Sequence, residues 1–275
     1  MRSFTQVDVF SAVPFGGNPV AVVHDGDGLD EAQMAALARW TNLSETTFLM
    51  APTLPGADYR VRIWTPGGEL SFAGHPTLGS AHAWLEAGHE PAAADVVVQE
   101  CLAGLVPVRR GERLAFAGPP LLRSGPLAPD RLAAAAAAVG VEPTDVLDGA
   151  WIDNGPGWMG LLLRDADAVL ACRLDRGAAG DLKIGVVGIH PAGTSDALVE
   201  VRAFAPSLGV GEDPVTGSLN AGIAAWLAGS LLPPSYVAAQ GTAIGRQGRV
   251  HVSVENGVVW VGGDTLSVIN GTIDM

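Results

Sequence analysis

The sequence predicts an α+β protein of two pseudo-symmetric domains, each a barrel-like mixed sheet around a central helix. Three observations lead there: strand signals outnumber helical ones, a segment of the first half is repeated in plan in the second, and each copy carries a helix of small residues. At 275 residues the chain has room for two domains of ordinary size. Hydrophobic residues make up 48% and charged residues 16%, with 36 Gly and 19 Pro punctuating short segments, as in a compact globular protein that buries a substantial core.

In chain order, helical patterning falls at about 29 to 40, 75 to 87, 129 to 139 and 217 to 229. The second of these opens with Pro76 in its first turn and stops at Gly88, residues that suit a helix start and end. Tyr59-Arg60-Val61-Arg62-Ile63-Trp64 is short and rich in β-formers, as a strand should be. Val250, Val252 and Val254 alternate with polar residues before Asn256-Gly257, and Val258 to Val261 then returns, which predicts a hairpin.

The repeat runs as follows. Val61-Arg62-Ile63-Trp64-Thr65-Pro66 leads through a glycine-containing loop to Gly74-His75-Pro76 and a helix ending Ala83-Trp84-Leu85. Val201-Arg202-Ala203-Phe204-Ala205-Pro206 leads through Gly209 and Gly211 to Thr216-Gly217-Ser218 and a helix ending Ala225-Trp226-Leu227. Gly16-Gly17-Asn18-Pro19 in the first half is answered by Asp153-Asn154-Gly155-Pro156-Gly157 in the second. Two matched pairs in the same order indicate a duplication. The Pro/Gly-rich stretch from Gly118-Pro119-Pro120 to Pro129 reads as the linker, giving domains of 1–120 and 121–264. Small side chains on most sides of a helix let a sheet close around it, and the free N–H groups of such a buried helix start offer a place for an anion.

A net charge of -13 without a basic patch argues against nucleic acid and anionic membrane surfaces. No apolar run approaches the ~20 residues of a membrane helix, and the N-terminus lacks a long apolar stretch, so a soluble cytoplasmic protein is expected. Lys183 is the only lysine, so Schiff-base chemistry would have to use it. Cys101 and Cys172 are too few for a disulfide framework and form no CxxC motif. His75, His82 and His89 are spaced seven apart, wider than ligands on one helix face, so no metal is expected. The glycines of Gly211 to Ser218 are one residue too far apart for a phosphate loop, whose lysine is also missing, and no GxSxG elbow occurs.

Three polar residues stand at element ends. Glu45 lies in Asn42-Leu43-Ser44-Glu45-Thr46-Thr47-Phe48, between an expected helix and an expected strand; it fits a catalytic carboxylate and equally a capping one. His75 follows Gly74 and can be a site residue or a structural histidine. Asp213, before Pro214 in a glycine-rich turn, can equally close an Asx turn.

Their surroundings add to this. Val7-Asp8-Val9-Phe10, Pro14 to Val23 with its Gly16-Gly17-Asn18-Pro19, the Glu45 segment, Ala73-Gly74-His75-Pro76-Thr77, Gly211 to Ser218, and Gln240-Gly241 through Gly245-Arg246-Gln247-Gly248 follow in order almost end to end. Together they closely resemble the PhzF-like isomerase family. The resemblance implies the diaminopimelate-epimerase-like fold, an active site between the two domains, a C-terminal strand (265–275) returning to the first domain, and a homodimer. It places the catalytic acid/base on Glu45, with His75 and Asp213 as catalytic partners and Asn18, Gly74, Gly217 and Ser218 binding substrate.

The implied reaction is a proton shift on a small anionic carboxylate, similar to that of trans-2,3-dihydro-3-hydroxyanthranilate isomerase, with no cofactor. Glu45 would have to be ionised to abstract and protonated to return the proton, so partial burial raising its pKa would help. One alternative is a two-base amino-acid epimerase or racemase of the same fold. Those relatives place a cysteine near each helix start, where this chain has Ala73-Gly74-His75 and Pro214-Val215-Thr216-Gly217. The other alternative is a family member that binds a small anion without turning it over.

Overall fold

The structure is a computed structural model and describes residues 1–206 and 211–275; Gly209 of the repeat lies outside the described residues. Its contacts divide it into two units, Met1–Ala117 with Gly262–Met275, and Gly118–Val261.

In the first unit the elements are β1 (Arg2–Val9), β2 (Asn18–Val23), α1 (Glu31–Thr41), β3 (Glu45–Met50), β4 (Tyr59–Thr65), β5 (Gly68–Leu70), α2 (Gly74–Glu86), β6 (Val96–Cys101), β7 (Gly104–Arg109) and β8 (Leu114–Ala117), joined by the C-terminal strand β18 (Thr265–Ile273). The pairing runs β18–β1–β2–β3–β4–β6–β7–β8; β2–β3 and β4–β6 are parallel and the others antiparallel, with β5 folded back on β4. This sheet wraps α2, which touches β1, β2, β3, β6, β7, β8 and β18. Gly74 to Ala81 are all buried, which is why that helix is built of small residues. On the outer face α1 packs Met34, Leu37 and Ala38 against Val23, Phe48 and Trp64. It starts at a capping box in which Asp30 and Gln33 satisfy each other's backbone N–H groups.

The second unit contains β9 (Arg123–Pro126), α3 (Pro129–Ala138), β10 (Val146–Asp153), β11 (Trp158–Leu163), α4 (Ala166–Ala171), α5 (Arg176–Ala179), β12 (Lys183–Ile189), β13 (Val199–Phe204), β14 (Glu212–Asp213), α6 (Gly217–Leu227), β15 (Ser235–Gln240), β16 (Gly248–Glu255) and β17 (Val258–Gly263), whose last two residues fall to the first unit. Its pairing runs β9–β10–β11–β12–β13–β15–β16, with β11–β12 and β13–β15 parallel and β14 folded back on β13. Strand for strand, the hand of each pairing repeats that of the first unit. Here α6 is the inner helix, touching β10, β11 and β16, while α3 and α4 cover the outer face.

The duplication extends to side chains. Arg62 of β4 grips Glu69 of β5 with two bonds of 2.6 Å, and Arg202 of β13 grips Glu212 of β14 with bonds of 2.9 and 2.7 Å. Both pairs brace the short strand that precedes the inner helix.

One expectation is corrected. The stretch from Gly118 to Pro129 is not a free linker but part of the second unit: Arg123–Pro126 pairs with β10, and the Gly118, Leu122 and Leu127 N–H groups donate to Val259, Asp153 and Gly149 carbonyls. Proline is tolerated because β9 pairs on one side through its neighbours' amides.

Candidate active site

Three elements of the first unit bring Asn18, Glu45 and His75 together. Asn18 begins β2, Glu45 begins β3, and His75 is the second residue of α2. Parallel pairing of β2 with β3 sets Val20 opposite Glu45, so both strands start at the level where α2 starts. Thr47, two residues beyond Glu45 and on the same side of β3, accepts from Ser80 of α2 at 2.9 Å, so Glu45 also faces the helix. Its Oε2 lies 3.4 Å from His75 Nε2, and the far ring atom, Nδ1, lies 3.4 Å from Asn18 Nδ2.

His75 is held far below its ordinary value, at about 3, because burial strips water from the imidazolium; a backbone hydrogen bond with Pro19 opposes the shift weakly. The ring is therefore neutral, and its 3.4 Å approach to Glu45 is not a charged bridge. Glu45 keeps 15% of its side chain open, enough to reach a bound molecule while staying largely out of water. Gly74 has a structural reason of its own: a methyl group there would lie 2.4 Å from Phe116 Cζ.

Asp213, Gly217 and Ser218 lie in the second unit. Thr216 donates its hydroxyl to Asp213 Oδ2 at 2.6 Å, and Trp158 donates its indole N–H to Ser218 Oγ at 3.0 Å. Asn154 donates to the Ser218 carbonyl at 2.9 Å. In each unit, then, the asparagine of the Gly/Pro-rich turn reaches the second residue of the inner helix, His75 or Ser218.

Sequence reasoning missed Gln240 as the organiser of this turn. Fully buried, it accepts from the Thr216 N–H at 3.0 Å and from Asn220 Nδ2 at 2.9 Å, and donates to Thr216 Oγ1 at 2.9 Å and the Asp213 carbonyl at 3.2 Å. All its polar valences are used. The Gln240-Gly241 motif was the available signal. Asp8, which accepts from the Gly17 N–H at 3.1 Å and so shapes the turn before Asn18, was likewise visible only as part of Val7-Asp8-Val9-Phe10.

The starts of α2 and α6 have no side-chain cap, whereas α1, α4 and α5 are capped by Asp30, Asp165 and Asp175. The thiols are poor bases: burial pushes Cys101 upward and Cys172 to about 11. No group of His, Cys, Asp and Glu among the described residues is arranged to hold a metal.

A family model described as phenazine biosynthesis-like protein matches residues 7–271. The chain belongs to this family. A Schizosaccharomyces pombe protein, antisense-enhancing sequence 1, is 38% identical over 98% of both chains. Trans-2,3-dihydro-3-hydroxyanthranilate isomerase of Pseudomonas aeruginosa is 34% identical, over 93% of this chain and 91% of its own. Among solved structures, a phenazine biosynthesis PhzF family protein from Enterococcus faecalis superposes with a TM-score of 0.83 at 25% identity, covering both chains fully. A probable proline racemase from Agrobacterium radiobacter matches with a TM-score of 0.60 at 11% identity over 100% of this chain and 93% of its own, a likeness of fold alone. The PhzF-like fold expected from the resemblance is thus the fold observed.

Proposed function

We propose that the protein is an isomerase that shifts a proton on a small cyclic or amino carboxylate, with Glu45 as the single acid/base and no cofactor. The observation that carries this is a mostly buried carboxylate 3.4 Å from a histidine kept neutral by its burial. A neutral imidazole does not pair a positive charge with the Glu45 carboxylate, so this ring does not weaken it as a base toward a C–H proton. In the proposed reaction the C–H proton passes to Glu45 and its electron pair enters the conjugated system of the substrate. Glu45 then returns a proton to a second carbon, and no electrons leave the molecule.

Charge that builds up on the substrate would be met by His75, by Asp213 in its protonated form, and by N–H groups of the uncapped helix starts, with Asn18, Gly74, Gly217 and Ser218 holding the substrate. The kinship to the Pseudomonas aeruginosa isomerase supports a dihydro-hydroxyanthranilate-like carboxylate as the first substrate to try. The two-base alternative is disfavoured by the raised cysteines. A cytoplasmic homodimer belongs to the same proposal; among the described residues no helix is long and apolar enough to cross a membrane.

The test is turnover of hydroxylated cyclic and amino carboxylates, beginning with trans-2,3-dihydro-3-hydroxyanthranilate, in deuterated water with the label read by NMR. Glu45→Gln should abolish turnover and leave binding largely intact, since the amide keeps the shape but cannot accept the proton. Cys101→Ala and Cys172→Ala should leave it nearly unchanged. Near-normal activity in Glu45→Gln, or its loss with either cysteine, overturns the single-carboxylate reading.

A further inference from the structure

The duplicated sheet gives Glu45 a counterpart in the second unit. On one side, parallel pairing sets Val20 opposite Glu45 at the start of β3, and Trp158 opposite Lys183 at the start of β12. On the other, Thr46 pairs with Trp64 and Ile184 with Phe204, and Trp64 and Phe204 are the matched fourth residues of Val61-Arg62-Ile63-Trp64 and Val201-Arg202-Ala203-Phe204. Both neighbours place Lys183, the chain's one lysine, where the first unit has its carboxylate.

The side chain also faces the same way. Gly185, two residues along and on the same side of β12, is pressed against the inner helix: a methyl group there would lie 2.2 Å from Leu219 Cδ1, in the first turn of α6. Trp158, in register beside Lys183, reaches the same turn through its bond to Ser218. The alternate strand residues Ile184 and Val186 point to the outer core. Lys183 therefore emerges on the inner face beside the start of α6. It is half-buried, and its side chain forms none of the hydrogen bonds or ion pairs among the described residues.

We infer that Lys183 is a specificity-determining residue that binds the carboxylate of the substrate; the inference rests on the isomerase reading above. A chain of net charge -13 repels an anion, and neutral His75 supplies no cation. An ammonium whose side chain has no partner among the described residues, set on the helix-facing side at the position equivalent to that of Glu45 in the first unit, supplies the missing charge. Unlike Glu45 it takes no part in the proton shift, so binding and turnover separate.

The probe is 3-hydroxyanthranilate, a stable aromatic carboxylate of the same framework. Lys183→Met should weaken its Kd by about tenfold or more while thermal unfolding stays unchanged, and Glu45→Gln should bind it nearly as the unsubstituted protein does. Because Lys183 is the only lysine, acetylation by acetic anhydride followed by mass spectrometry reads a single ε-amine, and saturating 3-hydroxyanthranilate should slow it severalfold in the unsubstituted protein. That arm needs no variant and stands even if Lys183→Met unfolds. An unchanged acetylation rate, a Kd for Lys183→Met within about twofold, or no binding of 3-hydroxyanthranilate overturns the inference. Retained turnover in Glu45→Gln overturns the isomerase reading instead and leaves the binding result in place.

Discussion

Burial more than any partner sets the state of His75. The unfolded chain takes up a proton on this ring near 6.5, whereas the folded chain resists it down to about 3. Acid therefore favours unfolding: the contribution of His75 is intact above about 6.5 and is lost as pH falls toward 3, at up to about 1.4 kcal/mol per pH unit. In urea titrations between about pH 4 and pH 7, His75→Gln should show a shallower loss of stability with acid than the unsubstituted protein, whatever its stability at neutral pH. Equal slopes for the two proteins would show that the ring is hydrated. The same neutrality means that the 3.4 Å approach of this ring to Glu45 pairs no opposite charges.

The inner helices carry a second kind of constraint, since each has glycine at its sixth position. A methyl on Gly79 would lie 2.3 Å from Val20 Cγ1, and one on Gly222 would lie 2.6 Å from the Ile152 carbonyl oxygen. In an exposed helix Gly→Ala stabilises by ~1 kcal/mol, because glycine has more backbone freedom to lose. Here the sign should reverse. Gly79→Ala meets a side chain and Gly222→Ala meets backbone, so denaturant melts should show losses of roughly 1–3 kcal/mol, with Gly222→Ala the more costly. A stabilised Gly222→Ala would mean that α6 stands off from β10.

Much at this scale was legible. Helices expected at about 75 to 87 and 129 to 139 are Gly74–Glu86 and Pro129–Ala138, and the Asn256-Gly257 turn has φ of 52° and 81°, the two positive values that a two-residue hairpin of this kind needs. The helix α1 begins at Glu31 because Asp30 caps it, a start that the Asp30–Gln33 spacing encodes. Two short helices, α4 and α5, were invisible because six and four residues make fewer than two turns, too few for a helical period to repeat. The stretch read as a linker became β9 because proline and glycine mark turns and edge strands alike. The meeting of Asn18, Glu45 and His75 could not be read from spacing; strand register brings them together, and only the family resemblance pointed to it.

For the molecule as a whole, two tendencies compete. Large apolar side chains stand open to water, with Trp40 at 82%, Leu122 at 75% and Phe15 at 71% exposure, more than a monomer gains from. Against association stands a charge of -13 on each copy, which makes two approaching chains repel. Screening weakens that repulsion between exposed charges, since the Debye length shrinks from ~20 Å in dilute salt to ~6 Å at a few tenths molar, while apolar burial is left intact or slightly strengthened. A homodimer should therefore tighten with salt. Light scattering at micromolar protein should give a mass of two 28.1 kDa chains, with the dimer persisting to lower protein concentration in about 300 mM than in about 20 mM NaCl. A dimer that weakens with salt would be held by ion pairs instead, and a monomer throughout would mean that these apolar residues are too scattered to form an interface.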